Sequence, residues 1–200
     1  MTTNFNPKIW PSTTTENSGV ISVGGCSLTS IAREFGTPAF VLDEADFKLR
    51  AQQWKSALDK NFGANAGTAY YAAKAFISKE IARWVSEAGL GLDVCTGGEL
   101  AAALAGGIDP QKIELHGNNK SVAEIDRAVS VGVKTIVMDS LFEIGRVAAA
   151  AKKHGVRQAV MLRLTPGIEA HTHEKISTAH EDVKFGFSIA SGAAWSAVEA

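Results

Sequence analysis

From residue 68 the chain repeats one unit, an apolar segment followed by an amphipathic one, and this repeat restricts the fold more than any other feature. The apolar segments TAYYAAK, LGLDVCT, KIELHG, KTIVMDS and QAVMLRLT begin at residues 68, 90, 112, 134 and 158, so successive starts lie 22, 22, 22 and 24 residues apart. Several are apolar at successive positions, as expected for parallel strands covered on both faces. VKFGFSI (183–189) is a sixth candidate strand.

The segments between them have helical spacing. In SKEIARWVSEAG, Ile81, Trp84, Val85 and Ala88 fall on one helix face, and Gly89 supplies a stop. Three later units open with a capping-box pattern: Thr96 with Glu99, Ser121 with Glu124, and Ser140 with Glu143. In such a box the hydroxyl accepts an orphan backbone N–H, and the glutamate reaches back to the N–H of the cap residue.

Repeated βα units make a parallel sheet, either open or closed into an eight-stranded barrel. No GxGxxG follows the first strand and no GxxxxGK[ST] occurs. The even period then favours the barrel. Five clear strands fall short of a closed barrel, which takes roughly 250 residues. The chain ends in GAAWSAVEA, an amphipathic run with Trp195 and Val198 and no stop signal. The expected fold class is therefore α/β, the N-terminal part of a (β/α)8 barrel truncated before closure. Its open edges would be prone to aggregation.

Before residue 68 the texture differs. VISVG (20–24) and PAFVLD (38–43) read as strands flanking the helix-like SLTSIAREFG, and EADFKLRAQQWKSALDK reads as a long amphipathic helix. The expected division is a flexible segment at 1–18, a strand–helix–strand piece at 19–43, and a partial barrel at 44–200. The middle piece would belong to a separate β-domain that chain beyond residue 200 completes.

The formal net charge of −1 argues against nucleic acid or an anionic membrane as partner. Cys26 and Cys95 match no zinc or CxxC spacing and read as reduced thiols. The polar start of the chain has no apolar h-region, and no stretch approaches the roughly 20 apolar residues of a membrane span. The expectation is a cytoplasmic protein.

In a βα barrel the chemistry gathers at the C-terminal ends of the strands. That rule selects Lys74, Asp93 to Thr96, His116, Asp139 and Arg163. Lys74 ends the apolar run TAYYAAKAF. Held at an apolar barrel mouth it would be desolvated toward its neutral form, as a Schiff-base amine must be. An ion pair with a rim carboxylate such as Asp93 is the alternative reading. Asp93 either orients Lys74 or is an ordinary strand-end carboxylate. Glu99 is accounted for by its box with Thr96, and Gly97 and Gly98 by a helix start or by backbone approach to a ligand. Arg163, ending the apolar MLRL, needs an anionic partner, whether ligand or aspartate. Glu169, His171, His173, Glu174 and His180 sit in IEAHTHEKISTAHED, which reads as a loop over the barrel mouth rather than a metal site.

YYAAKAF, GLDVCTGGEL, ELHGNNKS, LRLTPGIEAHTHEKIST and KFGF, in that order, resemble the diaminopimelate decarboxylases. These belong to the barrel-type pyridoxal-phosphate (PLP) group with alanine racemase and the ornithine and arginine decarboxylases. The resemblance runs from about residue 20 to residue 200 and implies a PLP-binding barrel. It makes Lys74 the lysine that holds PLP, and Asp93, His116 and Arg163 cofactor-binding residues. Glu99 matches the glutamate of the same motif as Asp93. It further implies an amino-acid substrate, decarboxylation of meso-2,6-diaminopimelate to L-lysine, and a homodimer with shared active sites. The family's loop usually reads Ser-Thr-Gly where this chain has Ser177, Thr178 and Ala179. The family's later motifs, among them its phosphate loop and pyridine-nitrogen partner, have no counterpart within these residues, so this segment alone is expected to be inactive. The alternatives are a decarboxylase of ornithine, arginine or carboxynorspermidine, a class I aldolase, and a non-catalytic PLP-binding or regulatory relative.

Overall fold

A computed structural model describes residues 5–64, 66–167 and 185–200. The chain divides into two compact units, residues 1–69 with 87–89, and residues 70–86 with 90–200.

In the first unit, β1 (Thr15–Asn17), β2 (Val20–Val23) and β3 (Cys26–Ser27) form a small antiparallel sheet. β1 arises inside the stretch expected to be flexible. Ser18 and Gly19 both take positive φ, 52° and 79°, the conformation of a two-residue hairpin turn that pairs β1 with β2. α1 (Leu28–Phe35) follows, its first turn capped by the Ser27 hydroxyl. Residues 38–43, read in the sequence as a strand, pair with no strand among the described residues. An extended segment becomes a strand only when a neighbour meets its N–H and C=O groups, and here Phe40 is 97% exposed. α2 (Glu44–Phe62) starts where the Asp43 carboxylate accepts the N–H groups of Ala45 and Asp46.

The second unit realises the repeat. β4 (Tyr70–Ala72), α3 (Lys79–Glu87), β5 (Gly91–Val94), α4 (Gly97–Ala105), β6 (Ile113–Leu115), α5 (Val122–Val131), β7 (Thr135–Met138), α6 (Leu141–His154) and β8 (Val160–Leu162) alternate along the chain. The strands form one parallel sheet in the order β4-β5-β6-β7-β8. β9 (Leu164–Thr165) continues the line of β8 and pairs in parallel with β10 (Phe187–Ser188), followed by α7 (Ala193–Glu199). Arg163 joins the two ladders, donating its N–H to Met138 O and accepting from Phe187 N–H. Six strand positions therefore stand side by side in chain order, as at the start of a barrel.

β7 is buried at all four positions, as expected for a strand covered on both faces, whereas β5 and β6 each carry one charged, less buried position. Leu92, Val94, Ile113, Leu115 and Ile136 are fully buried against Ile81, Val85, Leu100, Ile125 and Val129 of the helices. The opposite face carries Asp93 and Glu114, which the register places side by side.

One of the three expected capping boxes closes in full. Ser121 accepts Glu124 N–H, and Glu124 accepts Ser121 N–H. Thr96 caps Glu99 N–H, but the Glu99 carboxylate passes its cap residue and accepts Cys95 N–H at 2.5 Å. Ser140 makes no side-chain cap, and Glu143 accepts Asp139 N–H at 2.7 Å. In both departures the glutamate holds the residue at the strand end, one position earlier than the box requires.

Candidate active site

The parallel register builds the site in layers. Ala72, Asp93, Glu114 and Thr135 are successive partners across β4 to β7, so their side chains share the inner face. Beneath them the Tyr70 ring lies over Gly91, where a Cβ would come within 2.4 Å of it. Two residues further along each strand, the same face reaches Lys74, Cys95 and His116.

Lys74 sits in the turn after β4 and is exposed, with no hydrogen bond or ion pair to a described residue. Among the described residues its neighbours at the rim are polar. Its charge acts on Asp93. Burial pushes the Asp93 carboxyl above its ordinary range, and the charges of His116 and Lys74 partly offset that push. Asp93 Oδ1 is buried and accepts no hydrogen bond from a described residue. His116 Nε2 lies 3.6 Å from that oxygen and 3.9 Å from Glu114 Oε2, within charge contact but outside hydrogen-bonding reach. Cys95 is also pushed up, first by burial and then by the charges of Asp93 and Glu99.

Arg163 stands two strands beyond His116. Its Nη1 is 3.4 Å from Asp139 Oδ1, and its guanidinium stacks 4.2 Å from the centroid of the Phe185 ring. Asp139 Oδ2 accepts Gly186 N–H at 3.0 Å. The anionic partner that the sequence required for Arg163 is therefore present within the chain. The structure groups Lys74, Asp93 and His116 together, and Arg163 with Asp139 in a neighbouring cluster.

Gly97 needs no ligand to explain it. Its N–H donates to Glu124 Oε1 at 2.7 Å, and a Cβ there would press on Glu124 Cγ at 3.1 Å. Glu169, His171, His173, Glu174, Ser177, Thr178, Ala179 and His180 lie outside the described residues. Glu114, Lys120, Glu143 and Phe185 are site residues the sequence reading did not select. Glu114 was visible as a charge at an alternate position of an apolar strand. Lys120 lay within HGNNKS, with no periodic signal for its burial.

A primary amine and a buried carboxylate oxygen, each without a hydrogen-bond partner among the described residues, suit a small molecule carrying both a carbonyl carbon and a polar hydrogen. PLP fits that description.

Comparison with known proteins gives the family. The family described as pyridoxal-dependent decarboxylase, pyridoxal binding domain, matches residues 44–199. A diaminopimelate decarboxylase of Mycobacterium tuberculosis is 55% identical over 193 residues, 96% of this chain and 42% of that protein. One from Corynebacterium efficiens is 45% identical, covering 96% of this chain and 41% of the relative. The crystal structure of diaminopimelate decarboxylase from M. jannaschii in complex with L-lysine superposes with a TM-score of 0.80 at 28% identity, over 94% of this chain and 44% of that one. The chain thus spans about two fifths of the length of the relatives it matches.

Proposed function

The chain belongs to the pyridoxal-dependent decarboxylase family, and from that premise we propose that the full-length protein decarboxylates meso-2,6-diaminopimelate to L-lysine and CO2, with PLP held on Lys74. The observation that carries the reading is a Lys74 amine and an Asp93 oxygen at one rim, neither with a hydrogen-bond partner among the described residues. When bound, the cofactor supplies the electron sink for the pair left at Cα as CO2 departs.

The residues of this chain have separate tasks. Lys74 provides the nucleophilic nitrogen at the rim. Asp93 Oδ1 would accept a hydrogen bond from the cofactor, and its burial makes an added donor worth more than one in water. His116 stands between the Asp93 and Glu114 carboxylates, where it would help to hold the cofactor. Arg163, oriented by Asp139 and Phe185, would offer its remaining N–H donors to an anionic group.

The proposal extends to the whole protein: cytoplasmic, with an amino-acid substrate, and a homodimer whose active sites are shared between subunits. Among the described residues no helix is long and apolar enough to cross a membrane. Within this chain it takes residues 19–43, with the paired strand β1 before them, as part of a β-domain, and 44–200 as part of the barrel.

The test uses purified full-length protein. A visible absorption band of lysine-bound PLP is expected, lost in Lys74→Ala, together with CO2 release from meso-diaminopimelate but not from ornithine. A band that survives Lys74→Ala, or turnover of ornithine alone, overturns the assignment.

A further inference from the structure

Lys120 is the largest fully buried side chain of the described residues, and it is charged. It lies one residue before Ser121, at the end of the connection from β6 to α5. Its Nζ donates to Gly117 O and lies 2.9 Å from Glu143 Oε1, with both side chains at most 4% exposed. The other Glu143 oxygen accepts Asp139 N–H at 2.7 Å. The pair therefore holds two strand ends at once. One is Gly117, adjacent to His116, and the other is Asp139, which fixes Arg163 and Gly186.

Gly117 takes φ of +112°, and a Cβ there would come 3.1 Å from Cys95 O. The carbonyl that Lys120 grips thus belongs to a glycine pressed against the end of β5. From Cys95 through His116 and Asp139 to Arg163, the strand ends form one polar chain whose only buried ion pair is Lys120 with Glu143 among the described residues.

Filling space is a poor account of such a pair. Two opposite charges of this burial lose hydration, and apolar side chains of equal volume are commonly as stabilising or more so. What apolar side chains cannot do is bind a carbonyl and an N–H on two neighbouring strand ends. We propose that Lys120 and Glu143 are positioning residues that set His116 and Arg163 in register at the rim for the reaction. The inference rests on the functional reading above for its catalytic consequence, though not for its structural one.

The experiment compares Lys120→Met, Glu143→Gln and the double variant in the full-length protein. Each single variant leaves a buried group without its partner and is expected to unfold at lower denaturant. The double variant leaves no unpaired charge, keeps an oxygen for Asp139 N–H, and is expected to unfold near the wild-type midpoint. Gly117 O nonetheless loses its donor. The double variant is then expected to lose about 10–100-fold in kcat with KM changed by less than about twofold, as for a displaced reacting geometry. In the cofactor-free protein, exchange of the His116 amide, which donates to Val94 O at 2.7 Å, is expected to quicken by about tenfold. A double variant with wild-type kcat and wild-type His116 exchange overturns the proposal. So does a loss of kcat that follows global stability across all three variants. If wild-type protein neither shows the PLP band nor releases CO2, the functional reading fails, and the exchange measurement alone decides whether the pair holds the rim.

Discussion

The same chemical change, Gly to Ala, should have opposite signs at two helices of the second unit. Gly106 follows α4 with φ −81° and ψ −4°, a conformation alanine adopts freely. On the backbone alone, Gly106→Ala would stabilise by about 0.4–1 kcal/mol through the unfolded chain. The tertiary structure reverses this. A Cβ at 106 would lie 2.5 Å from Ala82 Cβ and 2.6 Å from Lys79 O. Neither is the end of a flexible side chain, so α3 and α4 must separate, an overpacking cost of about 1–3 kcal/mol. The cost wins, by about 1–2 kcal/mol at the middle of these ranges. Gly145, inside α6, has nothing within 4 Å of its added Cβ. Gly145→Ala should stabilise by about 1 kcal/mol from helix propensity alone. Urea unfolding of the full-length protein, followed by the fluorescence of its tryptophans at one protein concentration, reads both. Trp84, buried on α3, is one of the reporters. A Gly106→Ala protein as stable as wild type would refute the close packing of α3 on α4. A Gly145→Ala protein that loses stability would refute the open surface of α6.

Two further outcomes follow from charge. The N–H groups of Ser121 and Gly97 hold the Glu124 carboxyl below its ordinary value of 4.5. Its stabilisation is therefore complete above that pH and is lost as pH falls through the folded value. Glu124→Gln should cost on the order of 1 kcal/mol at pH 7, discounted for solvent exposure, and the gap to wild type should close in acid. A gap independent of pH across unfolding curves from pH 3 to about pH 7 would count against the carboxylate's role. Asp93 has the opposite sign, because burial raises its folded value. Its stability contribution is full below the unfolded value and declines as pH rises through the folded one. Cofactor-free Asp93→Asn should gain stability over wild type as pH rises, while losing PLP affinity in an absorption titration. Uniform destabilisation at every pH would contradict the burial of that carboxylate.

The period of the repeat was legible because each βα unit carries its own local signals. Strand β5 and helix α4 need only their apolar pattern, Thr96 and the glycines to be recognised. Lys74, Asp93, His116 and Arg163 could be selected because position within the repeat predicts position at the strand end. The N-terminal hairpin escaped notice because its turn is Ser-Gly, a weaker signal than Asn-Gly, in an otherwise polar stretch. PAFVLD finds no partner strand among the described residues, because apolar content marks a segment that could pair, whereas pairing depends on a neighbour elsewhere in the protein.

The glutamates show the division most plainly. The sequence placed Glu99, Glu124 and Glu143 alike, three residues after a hydroxyl. Only Glu124 closes its box, and it also reaches Gly97 on the preceding unit. Glu143 turns instead to a buried lysine twenty-three residues earlier and to the Asp139 backbone. Local pattern sets which backbone groups a side chain can reach within a turn of helix. Which of them it takes depends on charges and carbonyls brought close by other strands. By itself the sequence determined the βα repeat and the residues that stand at its strand ends. The tertiary structure decided that Asp93 Oδ1 lacks a donor among the described residues and that a buried pair joins the rim, because each depends on residues packed from distant units.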